Sequence, residues 1–250
     1  MVRQQTMATV IEDKHESVIS RTEEIAGVLK REILLGQYRP GERLPSERDL
    51  SERFQTSRGT VREALKKLEQ LGIATIQPGG ARVVPVEKAT LDVLGALLNL
   101  HSPPDPVLVD QVMEVFGILI RLAAGSAVEK ASDEQLAHAV AVTQQLLDAE
   151  TNEQHTVLRN LAFTFIEISE HLVLQLVMNG LQTQFINDTG QTGYQPVLEH
   201  QALTLIITRL QEGLNKRNAT GVTEAMTELN KLIRDSAHKA FENIESNRQA

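Results

Sequence analysis

The amino-acid sequence predicts a mainly α-helical chain in two parts: three short helices with a β-hairpin, then an all-α bundle. Three patterns carry that reading. Apolar residues recur at helical spacing in three short runs between Thr22 and Gly72. Two β-like runs flank Pro78-Gly79-Gly80, the composition of a hairpin. From Leu91 the period is helical almost to the end, with no alternating strand pattern and no internal repeat.

Residues 1–20 are polar and aperiodic and read as a flexible N-terminal segment. Ile25, Leu29 and Ile33 predict a first helix from about Thr22, stopped by Gly36, with Tyr38-Arg39-Pro40-Gly41 as a turn. Ser46 can cap a second helix, with Asp49 in the capping-box position and Leu50 and Phe54 facing inward. After Gln55-Thr56, Ser57 can cap a third helix with the apolar stripe Val61, Leu65 and Leu68, and Gly72 ends it. Strands are expected over 73–77 and 81–86, completing a unit at 21–84, and 85–90 reads as a linker. The second unit, 91–250, is expected to hold helices near 91–100, 107–130, 133–149, 153–182, 197–217 and 219–246. Its breaks fall at His101–Pro106 and Asn187–Pro196, and the stripe Val107, Leu108, Val112, Val115 and Leu119 is either core or a dimer face, core being the favoured reading.

Composition removes several function classes. With 41 % hydrophobic and 23 % charged residues the 250-residue chain can bury a core, which excludes wholesale disorder. No apolar run reaches the roughly 18 residues of a membrane span, and the start lacks a secretory leader, so a cytoplasmic protein is expected. The absence of cysteine excludes disulfides, thiolate metal sites and cysteine nucleophiles. Aromatics at 3 % and no tryptophan argue against base stacking on single strands. The net charge of −8 hides a split: residues 21–84 hold 12 Lys+Arg against 9 Asp+Glu, whereas residues 85–250 hold 11 against 21. A basic module on an acidic one suggests two kinds of partner.

Three helices and a hairpin form the winged helix-turn-helix pattern. A recognition helix needs an apolar inner face and a small, polar, cationic N-terminal outer face that reaches base edges in the major groove. Ser57-Arg58-Gly59-Thr60-Val61-Arg62 meets that need: Val61 points inward, while Arg58 and Arg62 lie one turn apart on the outer face. The bland alternative, a solvated face paired with Glu63 or Glu69, loses weight inside a capped helix pair followed by a glycine-rich wing.

Tyr38-Arg39-Pro40-Gly41-Glu42-Arg43-Leu44-Pro45-Ser46-Glu47-Arg48-Asp49-Leu50, followed by Ser57-Arg58-Gly59-Thr60-Val61-Arg62-Glu63-Ala64-Leu65, resembles the DNA-binding domain of the GntR family of bacterial transcription regulators. The resemblance covers roughly residues 20–84. It implies that Arg48, Arg58, Thr60 and Arg62 contact DNA, with Ser57 and Gly59 beside them, and that the tip at Pro78-Gly79 enters the minor groove. The helical second half is similar to the FadR branch of that family, whose C-terminal bundle senses a small molecule. The segments carrying this weaker likeness are Leu91-Asp92-Val93-Leu94-Gly95-Ala96-Leu97-Leu98, Leu158-Arg159-Asn160-Leu161-Ala162-Phe163 and Met178-Asn179-Gly180-Leu181. Asn160 and His200 are the candidate effector-contacting residues.

The sequence departs from that branch in two places. The resemblance would imply a metal held by an aspartate and three histidines, but the expected pair near Gln154–Leu161 is missing and Leu229 stands where the third histidine would. Only His200 fits, so no metal and no other cofactor is expected. Val115 and Leu119 replace the branch's usual Arg and Glu, which implies a more apolar pocket. An acyl-CoA or fatty-acid-derived effector is therefore the first candidate and a metal-assisted organic or sugar acid the second. Catalysis is not expected: His155, His171, His200 and His238 stand in no catalytic motif. A ligand-independent architectural DNA binder would not need so large an acidic α domain. The reading is a homodimer on a palindromic double-stranded operator, because two small modules on half-sites one helical turn apart supply the contacts that one lacks.

Overall fold

The computed structural model describes residues 20–185 and 197–249. The expected break at Asn187–Pro196, and all of the N-terminal segment except Ser20, lie outside the described residues. Two compact units divide between Ala89 and Thr90. The first holds α1 (Arg21–Leu34), α2 (Glu47–Arg53), α3 (Arg58–Gln70), β1 (Ala74–Gln77) and β2 (Gly80–Val83). The second holds α4 (Leu94–Leu98), α5 (Pro106–Lys130), α6 (Asp133–Asp148), α7 (Gln154–Ser169), α8 (Leu172–Phe185), α9 (His200–Asn215) and α10 (Ala219–Gln249).

Every helix of the first unit opens on a serine. The Ser20 and Ser46 side chains accept from the backbone N–H groups of Glu23 and Asp49, whose carboxylates accept in return from the serine N–H groups. Ser57 accepts from the Thr60 N–H at 3.2 Å. These bonds satisfy donors that a helix start leaves without partners. Ile25, Leu29, Leu50, Val61, Leu65 and Leu68 then meet in one buried core with Leu44 and Ile73. Between α2 and α3, Gln55 takes a left-handed φ of 49°, and the Ser51 hydroxyl donates to the Thr56 carbonyl. Phe54 is half-buried rather than turned fully inward: it closes α2, and the Arg53 guanidinium sits 4.8 Å from its ring centroid.

The wing is tighter than the sequence suggests. Gln77 pairs with Gly80, which leaves only Pro78-Gly79 as the loop. The fixed φ of proline followed by Gly79 at φ 102° is the residue order of a type II turn. The second strand stops at Val83 instead of reaching 86, because Pro85 has no N–H to offer a partner strand. On its other side the segment before α2 joins the sheet edge through the Leu44 N–H to Ala81 carbonyl bond of 2.9 Å and the Arg43–Arg82 bridge.

In the second unit α5 packs on α7 and α10, and its inward Ala123, Ala124 and Ala127 meet Leu161, Phe165 and Ile207 in the core. Gly117 permits the close approach of α10, since a Cβ there would lie 2.1 Å from the Asn230 amide nitrogen. Farther along, Arg234 grips Asp110 through two hydrogen bonds of 2.7 and 2.6 Å, and the His238 ring lies 3.1 Å from the same carboxylate. Hydrogen bonding to Arg234 holds the Asp110 carboxyl below its ordinary range. Asp105 caps α5 by accepting from the Val107 N–H, with Pro106 in the first turn.

Three expectations are corrected here. The helix near 91–100 is a 3₁₀ turn at Leu91–Val93 followed by five-residue α4, closed where the Asn99 amide donates to the Gly95 carbonyl. The helix read at 153–182 is two helices. Glu170 breaks it with a left-handed φ of 49°, Lys130 Nζ donates to the Ser169 carbonyl, and His171 Nδ1 accepts from the Leu174 N–H to start α8. In the α5 stripe Val112 is buried and Leu108 and Leu119 are half-buried, but Val107 and Val115 face outward. The inward row of this helix runs through Val109, Val112, Phe116, Ile120 and Ala123, which turns residue 115 away.

Candidate nucleic-acid interface

The first turn of α3 is the centre of the site. Arg58 is its first residue, and Arg58, Gly59 and Arg62 are exposed while Val61 and Ala64 anchor the opposite face. Thr60 is half-buried, its hydroxyl 3.0 Å from the Ser57 hydroxyl, so the cap orients both groups at the helix start. Helix N-termini present N–H groups and partial positive charge, which suits a phosphate.

The two arginines differ in a way the spacing does not reveal. Arg62 donates to both carboxylate oxygens of Glu47, from Nε at 2.9 Å and from Nη2 at 2.7 Å. This fork fixes the guanidinium against α2, and the Glu47 carboxyl is held below its ordinary range by it. Arg58 makes no ion pair within 4 Å among the described residues, although its charge also helps hold the Glu47 carboxyl down. Arg48, on the outer side of α2, pairs with Glu52 at 3.0 Å with both side chains largely in solvent.

At the wing, Pro78 and Gly79 are exposed at the turn. A cation absent from the sequence reading stands beside them: a Cβ on Gly80 would lie 2.9 Å from Arg43 Nε. Arg82 donates to the Gly41 carbonyl at 2.9 Å. The signal for Arg43 is the bridge that carries the turn before α2 onto β2, a tertiary contact that no local spacing encodes.

Residues 21–84 match the family described as bacterial regulatory proteins, gntR family. The match spans the winged helix-turn-helix and none of the helical second unit. The HTH-type transcriptional regulator Mce2R of Mycobacterium tuberculosis is 26% identical to the chain over 234 residues, 86% of this chain and 90% of that protein. The fatty acid metabolism regulator protein of Erwinia tasmaniensis is 34% identical over 152 residues, 58% of this chain and 61% of that protein. Among solved structures, Lar, described as controlling the Listeria monocytogenes agr system, covers 88% of this chain and 97% of its own with a TM-score of 0.52 and 15% identity. That likeness is one of fold.

In the second unit the predicted effector residues are both exposed. Asn160 is exposed on α7 and His200 is the exposed first residue of α9, and among the described residues no hydrogen bond joins their side chains. Also among the described residues, no three His, Asp or Glu groups converge as metal ligands, and no helix is long and apolar enough to cross a membrane. A surface cleft of about 300 Å³ opens between α9 and α10, lined in part by Arg209, Glu212, Lys216, Asn218 and Glu228. Four of its charges pair, Arg209 with Glu228 at 2.8 Å and Lys216 with Glu212 at 3.3 Å.

Proposed function

We propose that this chain is a transcription regulator that binds a palindromic double-stranded operator as a homodimer in the cytoplasm and releases it in response to a small-molecule effector. Residues 21–84 are the DNA-binding domain, 85–90 the linker, and 91–250 the effector-binding and dimerisation domain. The start of α3 enters the major groove, with Arg58 and Thr60 at base edges and Ser57 and Gly59 close to the backbone. Arg62 and Arg48 face phosphates, and Pro78-Gly79 reaches the minor groove with Arg43 behind it. The observation that carries this reading is Arg58: an exposed cation at the open N-terminus of a capped helix, without an ion pair among the described residues. Selection of binding sites from random duplexes, followed by anisotropy titrations, tests it. The expected site is a two-fold repeat, and affinity should fall as salt rises.

For the effector we propose an acyl-CoA or related fatty-acid derivative, contacted at Asn160 and His200, with no metal and no catalysis. Its support is the 34% identity over 152 residues to a protein named for fatty acid metabolism. An acyl chain gains about 0.8 kcal/mol per buried methylene, so binding should tighten along a chain-length series for as long as added methylenes are buried. Calorimetry of that series beside small organic acids, with operator release as the second readout, decides between the ligand classes. Flat affinity across chain length with tight binding of a small acid overturns the acyl reading.

A further inference from the structure

Glu47 opens α2, and its carboxylate accepts both bonds of a fork from α3, Arg62 Nε at 2.9 Å and Nη2 at 2.7 Å. The pair bridges the two helices, with the Glu47 side chain 33 % exposed and that of Arg62 59 %. A guanidinium carries five N–H donors in one plane, so three remain on the edges that Glu47 leaves open. Glu47 lies within the field of Arg58 as well, one turn before Arg62 on α3. Arg48 differs: its single bond to Glu52 runs along its own helix, with the two side chains 70 and 67 % exposed. A pair so solvated is largely screened and worth little.

Charge and oriented donors count differently on DNA. Loose association with any duplex draws on net charge, through release of the cations condensed on phosphates, and needs no register. Docking at a matching site draws on donors held at fixed angles against groups taken out of water. A guanidinium neutralised by a fork gives little to the first and keeps three donors for the second. From this geometry we propose that Glu47 sets specificity: it holds Arg62 neutral and aimed, so that this arginine adds affinity on the operator and little on DNA of other sequence. The carboxylate acts through Arg62 and is a positioning residue. Lowering affinity for wrong sites raises discrimination as surely as raising it for the right one. No other cation assigned to the interface is held by such a fork among the described residues: Arg58 has no ion pair within 4 Å, and Arg43 lies beside Gly80.

This role rests on the DNA-binding reading above, but its decisive readout is a salt slope on a duplex of unrelated sequence, so it can fail while operator binding stands. Anisotropy titrations of the full chain on that duplex and on the selected operator, across a salt series, supply the test. On the unrelated duplex, Glu47→Gln should make log affinity fall with log salt more steeply by about 0.9, the mark of one added phosphate contact. Operator affinity should not rise with it, so the ratio of the two affinities should fall about fivefold or more. Glu47→Asp keeps the charge and should keep the wild-type slope. The double variant Glu47→Gln/Arg62→Gln has the wild-type net charge and should return to the wild-type slope while binding the operator more weakly. Glu52→Gln changes net charge as Glu47→Gln does but frees an arginine that is already solvated, so its slope should change by less than half as much. Circular dichroism checks that each variant is folded, and Glu47→Ala supplies the same readout if Glu47→Gln is not. An unchanged slope in Glu47→Gln, an equal rise on both duplexes, a double variant that keeps the steeper slope, a Glu47→Asp that behaves like Glu47→Gln, or an equal effect of Glu52→Gln overturns the proposal.

Discussion

The helices of the N-terminal unit run 14, 7 and 13 residues, whereas α5 and α10 in the C-terminal unit run 25 and 31. A seven-residue helix cannot stand on its own hydrogen bonds. In α2 a single residue, Leu50, is buried, and the Ser46–Asp49 box holds the first turn. Long helices need no such precision at their ends, because many buried side chains share the work. The C-terminal unit accordingly spends its distinctive residues along helix faces: a buried alanine row and an exposed apolar row on the same α5. The first unit is specified by ends and turns, the second by faces, and the first kind of signal is local in sequence.

The sharpest way to break this contrast is to empty the interior of the second unit. Phe165 is fully buried, so Phe165→Ala should destabilise the C-terminal unit by about 3–5 kcal/mol. In differential scanning calorimetry its transition should move down while that of residues 21–84 stays. One transition moving as a whole would show the two units to be a single cooperative body.

A face-to-face clasp should matter less than a core residue. Asp110 and Arg234 are 23 and 28 % exposed, and Asp110→Asn should destabilise by about 1.5–3 kcal/mol by replacing a charged acceptor. The Asp110 carboxyl titrates below its ordinary 3.8 in the folded chain. The clasp's contribution is therefore complete above that value and is lost as the pH falls through the lowered one. The difference between wild type and Asp110→Asn should close in acid, and a difference independent of pH would mean that packing, not charge, joins α5 to α10.

On the DNA side, Arg58→Ala should weaken operator binding by about 1–3 kcal/mol with no change in melting temperature. Arg62→Ala should weaken it less, because Glu47 already neutralises that guanidinium, and it should also loosen the α2–α3 contact. Equal losses at the two positions would mean that Arg62 leaves Glu47 on binding.

The same contrast explains what the sequence revealed. Ser46, Ser57 and Gly36 announce helix boundaries because caps and turns act over three or four residues. The break after Ser169 has no local signal, because Glu170 is a left-handed residue that is neither glycine nor asparagine and the Ser169 carbonyl before it is bonded by Lys130, 39 residues earlier. The fork from Arg62 to Glu47 and the place of Arg43 beside the wing are likewise tertiary facts. In α5 the apolar pattern alone cannot separate Val112, which is buried, from Val115, which is not, because apolar residues line both faces.

The smallest effect isolates the contrast most cleanly, since it removes the same bond from both units. Ser46 and Ser132 each form a reciprocal box, Ser46 with Asp49 and Ser132 with Gln135, and each accepts a backbone N–H at 3.2 Å. Replacing a capping serine by alanine costs about 0.5–2 kcal/mol. In seven-residue α2 the loss frees a large share of the helix's bonds, so Ser46→Ala should fall near 2 kcal/mol and also weaken operator binding by displacing Glu47 and its grip on Arg62. In sixteen-residue α6, buried Leu136, Ala139, Val142 and Leu146 hold the helix whatever happens at its start, so Ser132→Ala should fall near 0.5 kcal/mol. Urea denaturation of both variants measures the pair. Equal losses would mean that the short helices of the first unit are held by their core after all, and that their caps only mark where they begin.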